Sequence, residues 1–171
     1  FMIYDSRQDL IPLEEEIQPI RNYIDLERLR YGSEMNCEMN IEGDPGEHYI
    51  RPLLLIPLIE NAFKHGMSQQ TGDKWIRMQL TILPGTLHVQ IENSYTAMQE
   101  NQVGHRRVGG VGLENVRKRL KLLYPGSHEF IYEGVGEVYR VLLRIPLEKK
   151  PAASEVHQRS AMPQVPASIP L

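Results

Sequence analysis

The spacing of apolar positions changes several times along the chain, and each change predicts an element. Leu13, Ile17, Ile20 and Ile24 recur every three or four residues, which predicts a helix over Leu13–Tyr31. Glu14, Glu15 and Glu16 sit near its start and Arg28 and Arg30 near its end, matching the helix dipole, and Gly32 is a natural stop. Pro19 either kinks this helix or moves its start downstream. Residues 1–12 read as a frayed lead-in. Met35, Cys37, Met39 and Ile41 alternate with polar residues, which predicts a half-buried strand over 34–41. A turn follows over 42–47, rich in Gly, Asp and Pro. Residues 53–66 return to helical spacing, and that helix is expected to begin near Pro52. Ile76, Met78, Leu80 and Ile82 alternate, Pro84-Gly85 is a tight turn, and Leu87, Val89 and Ile91 alternate again, so 75–91 is a hairpin. Residues 93–108 carry little apolar content and no period, as functional or unstructured loops do. Leu113, Val116, Leu120 and Leu123 mark a helix over 113–124, closed by Pro125-Gly126. A second hairpin spans 128–133 and 138–145 across Gly134 to Glu137. From Glu148 onward the chain is rich in Pro, Ala, Ser and Gln without a period, and reads as a disordered tail.

The order helix, strand, helix, hairpin, loop, helix, hairpin predicts an α+β fold. Strands that pair as hairpins give a mixed, mostly antiparallel sheet, and the helices then cover one face in a two-layer α/β sandwich. Composition changes this picture little. The chain has 171 residues, 41% hydrophobic and 24% charged, as one soluble domain with a tail would have. A net charge of -3 excludes reliance on a broad basic field, so no nucleic-acid partner is expected. A single cysteine, Cys37, builds neither a disulfide framework nor a cysteine zinc site, and reads as a small buried hydrophobe in a reducing compartment. No apolar run approaches the roughly 18 residues of a membrane span. The chain opens on Phe1 rather than Met, as a fragment or a processed product would.

Two stretches carry candidate chemistry. In residues 53–66, Asn61, Lys64 and His65 fall at i, i+3 and i+4, on one helix face, with Leu55, Ile59, Ala62 and Phe63 roughly opposite. An amide, an ammonium and an imidazole side by side suit a polyanion with its metal; an ordinary amphipathic helix has the same apolar pattern. In residues 109–120, Gly109-Gly110-Val111-Gly112 runs into Leu113-Glu114-Asn115-Val116-Arg117-Lys118-Arg119-Leu120. Glycines admit a phosphate close to backbone N–H groups, and the helix behind them aims its positive end at the same place. This is neither a Rossmann fingerprint nor a P-loop, since no strand leads into it and no Gly-Lys-Ser/Thr follows.

Taken together, the two stretches resemble the ATP-binding domain shared by histidine kinases, gyrase-type ATPases and the Hsp90 chaperones, the GHKL or Bergerat fold. The nearest resemblance is to sensor histidine kinases of the LytS/YehU type. Leu58-Ile59-Glu60-Asn61-Ala62-Phe63-Lys64-His65-Gly66 is similar to that family's N box, and Gly110-Val111-Gly112-Leu113-Glu114-Asn115-Val116-Arg117-Lys118-Arg119-Leu120 to its G2 box. Leu13, Glu15, Asn22-Tyr23-Ile24, Glu27 and Arg30-Tyr31 resemble its linking segment. The resemblance implies residues 1–31 as linker and end of a dimerisation-helix region, 32–147 as the ATP-binding catalytic domain, and 148–171 as tail.

The resemblance also implies roles. Asn61 would hold Mg²⁺ through its amide oxygen, with ATP phosphates and water completing the octahedron. Lys64, as a point charge, and His65 would touch the phosphates. Gly110, Gly112 and the helix start at Leu113 would cradle them, and His105, Arg106 and Arg107 would lie in a lid. Two departures stand out. Where the family has Asp-x-Gly, this chain has Asn93-Ser94-Tyr95, so the group meeting the adenine amino group is an amide without charge. Hydrolytic relatives place a Glu four residues before the metal Asn; Pro57 stands there, and Glu60 points aside, so the site suits transfer of phosphate to another nucleophile rather than hydrolysis. The implied function is that of a protein-histidine kinase, transferring the γ-phosphoryl group of Mg-ATP to a histidine on a dimerisation helix outside this chain. The implied partners are a response regulator of the LytTR type and a second copy in a homodimer. The implied location is the cytoplasmic side of an inner-membrane protein whose spans lie upstream. The alternatives are a GHKL-fold module without catalysis, favoured by Asn93 and the missing glycine, and a hydrolytic ATPase, opposed by Pro57.

Overall fold

The computed structural model describes residues 10–32, 35–67, 74–95 and 111–149. The alternating segments form a five-stranded sheet in the order β2-β4-β5-β7-β6, made of β2 (Asn36–Glu42), β4 (Trp75–Leu83), β5 (Thr86–Ser94), β7 (Val138–Pro146) and β6 (Glu129–Val135). β2 runs parallel to β4 and the other neighbours are antiparallel. The sheet is therefore mixed and mostly antiparallel, as the hairpin pattern predicts. Ile76, Met78, Leu80, Leu87, Val89, Ile91, Tyr139, Val141, Leu143 and Ile145 all bury on one face because side chains alternate along a strand. On the other face, ion pairs join Arg77 to Glu38 (3.7 Å) and Arg140 to Glu92 (2.7 Å).

Three helices supply the second layer: α1 (Leu13–Tyr31), α2 (Ile56–Gly66) and α3 (Val111–Leu123). α2 packs directly on β4 and β5 and touches α1 and α3. Leu13, Ile17, Ile20 and Ile24 of α1 share one hydrophobic core with α2, α3 and the sheet. The helix predicted over 13–31 is present at those bounds and runs through Pro19, which leaves its start at Leu13.

Several boundaries differ from the expectation. The second helix begins at Ile56, not near Pro52, because residues 52–55 form a bend held by side chains from other helices. The second hairpin turns at Gly136 and Glu137, and Gly134 and Val135 are still in β6. A small second sheet, ordered β1-β3-β8, was not anticipated: β1 (Ile11–Pro12), β3 (His48–Ile50) and β8 (Glu148–Lys149) pair antiparallel. Ile11 and Pro12 thus leave the frayed lead-in, and Glu148 and Lys149 leave the tail. Strands of two or three residues are too short to show a period. The rest of the predicted tail and residues 1–9 lie outside the described residues.

Candidate nucleotide site

The turn before α2 is where three helices meet. Leu53 takes a positive φ of 59°, uncommon for a residue with a side chain. That conformation turns three successive N–H groups toward α1. Glu16, only 5% exposed, accepts them all: one carboxylate oxygen takes Leu53 N–H, the other takes Leu54 and Leu55 N–H at 3.1 Å each. From α3, Arg119 donates to the Pro52 carbonyl at 2.8 Å. The Tyr124 hydroxyl accepts Arg51 N–H at 3.1 Å, and burial holds this phenol above its usual range. Pro57 falls in the first turn of α2, where its missing N–H costs nothing.

The far end of α2 is set by close packing. A Cβ on Gly66 would lie 2.8 Å from the Asn93 Cβ and 3.2 Å from Ile76 Cγ1, so only glycine lets the helix end sit on β5. The Ser94 hydroxyl donates to the Gly66 carbonyl at 3.2 Å and accepts Trp75 N–H at 3.2 Å. Asn93 is 1% exposed, and its amide nitrogen donates to the Ser94 carbonyl at 2.8 Å. With the nitrogen engaged, the group Asn93 retains for a ligand is its oxygen, an acceptor.

Along α2, Leu58, Ile59, Ala62 and Phe63 bury with Asn61, which is 8% exposed. The Asn61 amide nitrogen is buried without a hydrogen-bond partner. Lys64 and His65 are exposed. The single face expected for Asn61, Lys64 and His65 is thus split: Asn61 lies in the buried stripe, while the other two stand at its solvent edge. Glu60 is exposed and close enough to the Tyr23 phenol of α1 to act on it; burial, Glu27 and Glu60 together push that phenol up to about 12. Tyr23 also meets Phe63 edge-on, with centroids 5.3 Å apart. Glu60 therefore belongs to the contact between α1 and α2.

The start of α3 offers the second wall. Val111 and Gly112 open the helix and are exposed, and a Cβ on Gly112 would meet nothing within 4 Å. Leu113 is fully buried, so its side chain serves the core and only its N–H remains for a ligand. Gly110, His105, Arg106 and Arg107 lie outside the described residues. Tyr95, expected either near a base or in a mere loop, packs on Gly134 and 5.6 Å from Tyr139. Tyr139 is the register partner of Asn93, and its buried hydroxyl has no partner. Arg117 lies 4.5 Å above the Tyr132 ring, whose hydroxyl donates to Glu114 at 3.3 Å.

Sequence reasoning missed Glu16, Arg119 and Tyr124. Glu16 had a visible signal: it falls three residues after Leu13 and four before Ile20, inside the apolar stripe of α1, where a carboxylate needs donors. A shallow concavity lined by Glu38, Asn40, Arg77, Gln79, Gln90 and Glu92 lies on the opposite sheet face and is no part of this site.

The residues present fit a hard cation with a polyphosphate. Among the described residues no group of three His, Cys, Asp or Glu is placed to hold a metal. A cation here would draw its oxygens from an amide, phosphates and water, as Mg²⁺ does in nucleotide sites. The Asn61 amide, whose nitrogen is buried without a partner, suits that role, since a half-turn about its last bond exchanges nitrogen for oxygen.

This is the fold of histidine kinase catalytic domains. The catalytic domain of histidine kinase ThkA superposes with a TM-score of 0.56 at 15% identity, covering 80% of this chain and 94% of that one. Histidine kinase AdeS of Acinetobacter baumannii superposes with a TM-score of 0.54 at 14% identity, over 81% of this chain and 66% of that one. In sequence, the chain is similar to sensor histidine kinases. It is 26% identical over 155 residues to the sensor histidine kinase/phosphatase LytS of Staphylococcus aureus, covering 85% of this chain and 26% of LytS. It is 25% identical over 141 residues to the sensor histidine kinase YesM of Bacillus subtilis, covering 82% of this chain and 24% of YesM. The chain thus spans about a quarter of the length of these relatives. No protein-family model matches it.

Proposed function

We propose that this chain is the ATP-binding catalytic region of a two-component sensor histidine kinase. It binds Mg-ATP and passes the γ-phosphoryl group to a histidine on a dimerisation helix outside the chain. The observation that carries this reading is Asn61: a buried amide with a partnerless atom, on the helix whose end is locked to Asn93. Mg²⁺ supplies charge neutralisation across the phosphate oxygens when bound. Asn61 offers it an amide oxygen, Lys64 and His65 face the phosphates from the solvent edge of α2, and Gly110, Gly112 and the Leu113 N–H meet them from α3. Asn93 accepts from the adenine amino group. Pro57 leaves no base to activate water, which supports transfer over hydrolysis.

In this reading residues 1–31 join the domain to the upstream helix, with α1 packed into the core, 32–147 hold the nucleotide, and the chain beyond β8 is tail. The partners are a response regulator, of the LytTR type, and a second copy of the kinase. ThkA, which shares the fold, has been seen in complex with the response regulator TrrA. The domain faces the cytoplasm from an inner-membrane protein; among the described residues no helix is long and apolar enough to cross a membrane.

Titration with a fluorescent ATP analogue tests this. Saturable, Mg²⁺-dependent binding is expected, with Asn61→Ala weakening it tenfold or more, about 1.4 kcal/mol. Absence of saturation up to millimolar nucleotide would point instead to a module of this fold that has lost catalysis.

A further inference from the structure

The geometry points to Glu16 as a positioning residue for the nucleotide site: from α1 it sets where α2 begins, and so where Asn61 stands. This rests on the proposed nucleotide reading of Asn61. The buried carboxylate gathers three consecutive backbone N–H groups at residues 53–55, which α2 itself leaves unpaired. No side chain within α2 or its preceding turn caps that end. The cap comes from another helix, 37 to 39 residues earlier in the chain. Leu53 adopts its positive φ to complete the arrangement, although its side chain is 58% exposed and gains little there. Arg119 of α3 and Tyr124, just past its end, hold the neighbouring carbonyl and N–H of the same turn. The turn is therefore fixed on two sides before α2 starts, and Asn61 follows Leu55 by six residues, about 9 Å along a rigid helix.

A structural carboxylate would give stability alone. A positioning one links α1 to the ligand, and that linkage is reciprocal: nucleotide binding must tighten the carboxylate's hold on residues 53–55 as much as the hold favours nucleotide.

The experiment uses the full chain, Glu16→Gln, and Leu143→Ala as a control in the sheet core, compared well below both melting temperatures. Gln keeps the size but turns one acceptor into a donor facing N–H groups. In nucleotide-free protein, Glu16→Gln should shift the backbone amide resonances of Leu53, Leu54 and Leu55 and the side-chain amide resonance of Asn61. Affinity for the Mg-ATP analogue should fall at least fivefold. Leu143→Ala should leave the Asn61 resonance in place and affinity within twofold. In wild type, saturating Mg-ATP should slow hydrogen exchange at Leu54 and Leu55. An unmoved Asn61 resonance in folded Glu16→Gln, or affinity within twofold of wild type, would overturn the assignment. If Glu16→Gln does not fold, Glu16→Asp, one methylene short, should give the same changes in smaller measure, and unchanged resonances there count equally against it. If wild type fails to bind nucleotide, the functional reading falls by itself, and the resonance comparison still decides whether Glu16 positions Asn61.

Discussion

At the scale of single residues, the junction of α2 with β5 tolerates no added atom. Gly66 shows this most sharply, since a methyl there collides with Asn93 and Ile76 inside a packed layer. Gly66→Ala is expected to cost about 1–3 kcal/mol by overpacking, read as a lower urea midpoint, and to weaken nucleotide binding because Asn93 moves with the helix end. Titrating groups give a second test. Burial, with Glu27 and Glu60, pushes the Tyr23 phenol from 10.0 up to about 12, and burial pushes the half-buried Cys37 thiol from 9.0 up to about 11. Both hold their protons more tightly folded than unfolded. Their contribution is whole below about pH 9 and is lost as pH rises toward 12. Stability measured by denaturant should therefore decline across that window, and Tyr23→Phe should flatten the part above pH 10 while keeping the ring contact with Phe63. A thiol held protonated in this way is a weak nucleophile at neutral pH, although Cys37 is half-buried rather than buried as expected.

At the scale of elements, α1 carries a proline that its packing overrides. Pro19 lies within the helix and is exposed, so it lacks an N–H for the carbonyl of Glu15 and presses its ring on that turn. Leu13, Ile17, Ile20 and Ile24, all buried, hold the helix to its course. Pro19→Ala is expected to stabilise the domain by about 1–3 kcal/mol, seen as a raised denaturant midpoint. This helix also shows what the sequence could and could not disclose. Its bounds were readable from four apolar positions and a closing glycine, and the five strands of the main sheet from simple alternation. The start of α2 was not readable, because apolar residues 53–55 continue the helical pattern while Glu16 draws their N–H groups into a bend. β1, β3 and β8 were invisible since two or three residues carry no period. Within the candidate site, the N-box pattern singled out Asn61, and gave Gly66 only as a helix stop. The burial that separates Asn61 from Lys64 was not, because spacing on a helix wheel cannot say how far the neighbouring sheet wraps around it. Tyr139 was hidden for a related reason: it meets Asn93 only through strand register.

At the scale of the whole molecule, the two faces of the sheet do different work. The helix side carries the apolar core, and the open side carries ion pairs such as Arg144 with Glu129 at 2.7 Å, both exposed. Exposed pairs of this kind contribute about 0–1 kcal/mol each, so cohesion rests on the layer that also carries the proposed nucleotide site. Stability and the proposed ligand binding therefore share contacts where α2 meets its neighbours. A destabilising change in α2 should register in both.

The parallel pairing of β2 with β4 has a consequence for how the chain reaches this state. β4 and β5, and likewise β6 and β7, close over two-residue turns, whereas Asn40 meets Gln79 across a separation of 39 residues, and Glu16 meets Leu55 across the same separation. Closing the long loops costs entropy before any contact repays it, so the hairpins assemble first and β2, α1 and α2 dock afterwards. Val89→Ala in the hairpin core should slow refolding, while Ile41→Ala in β2 should mainly hasten unfolding, a contrast stopped-flow kinetics can measure. The wall of the proposed nucleotide site that α2 supplies is then added to a hairpin that already carries Asn93.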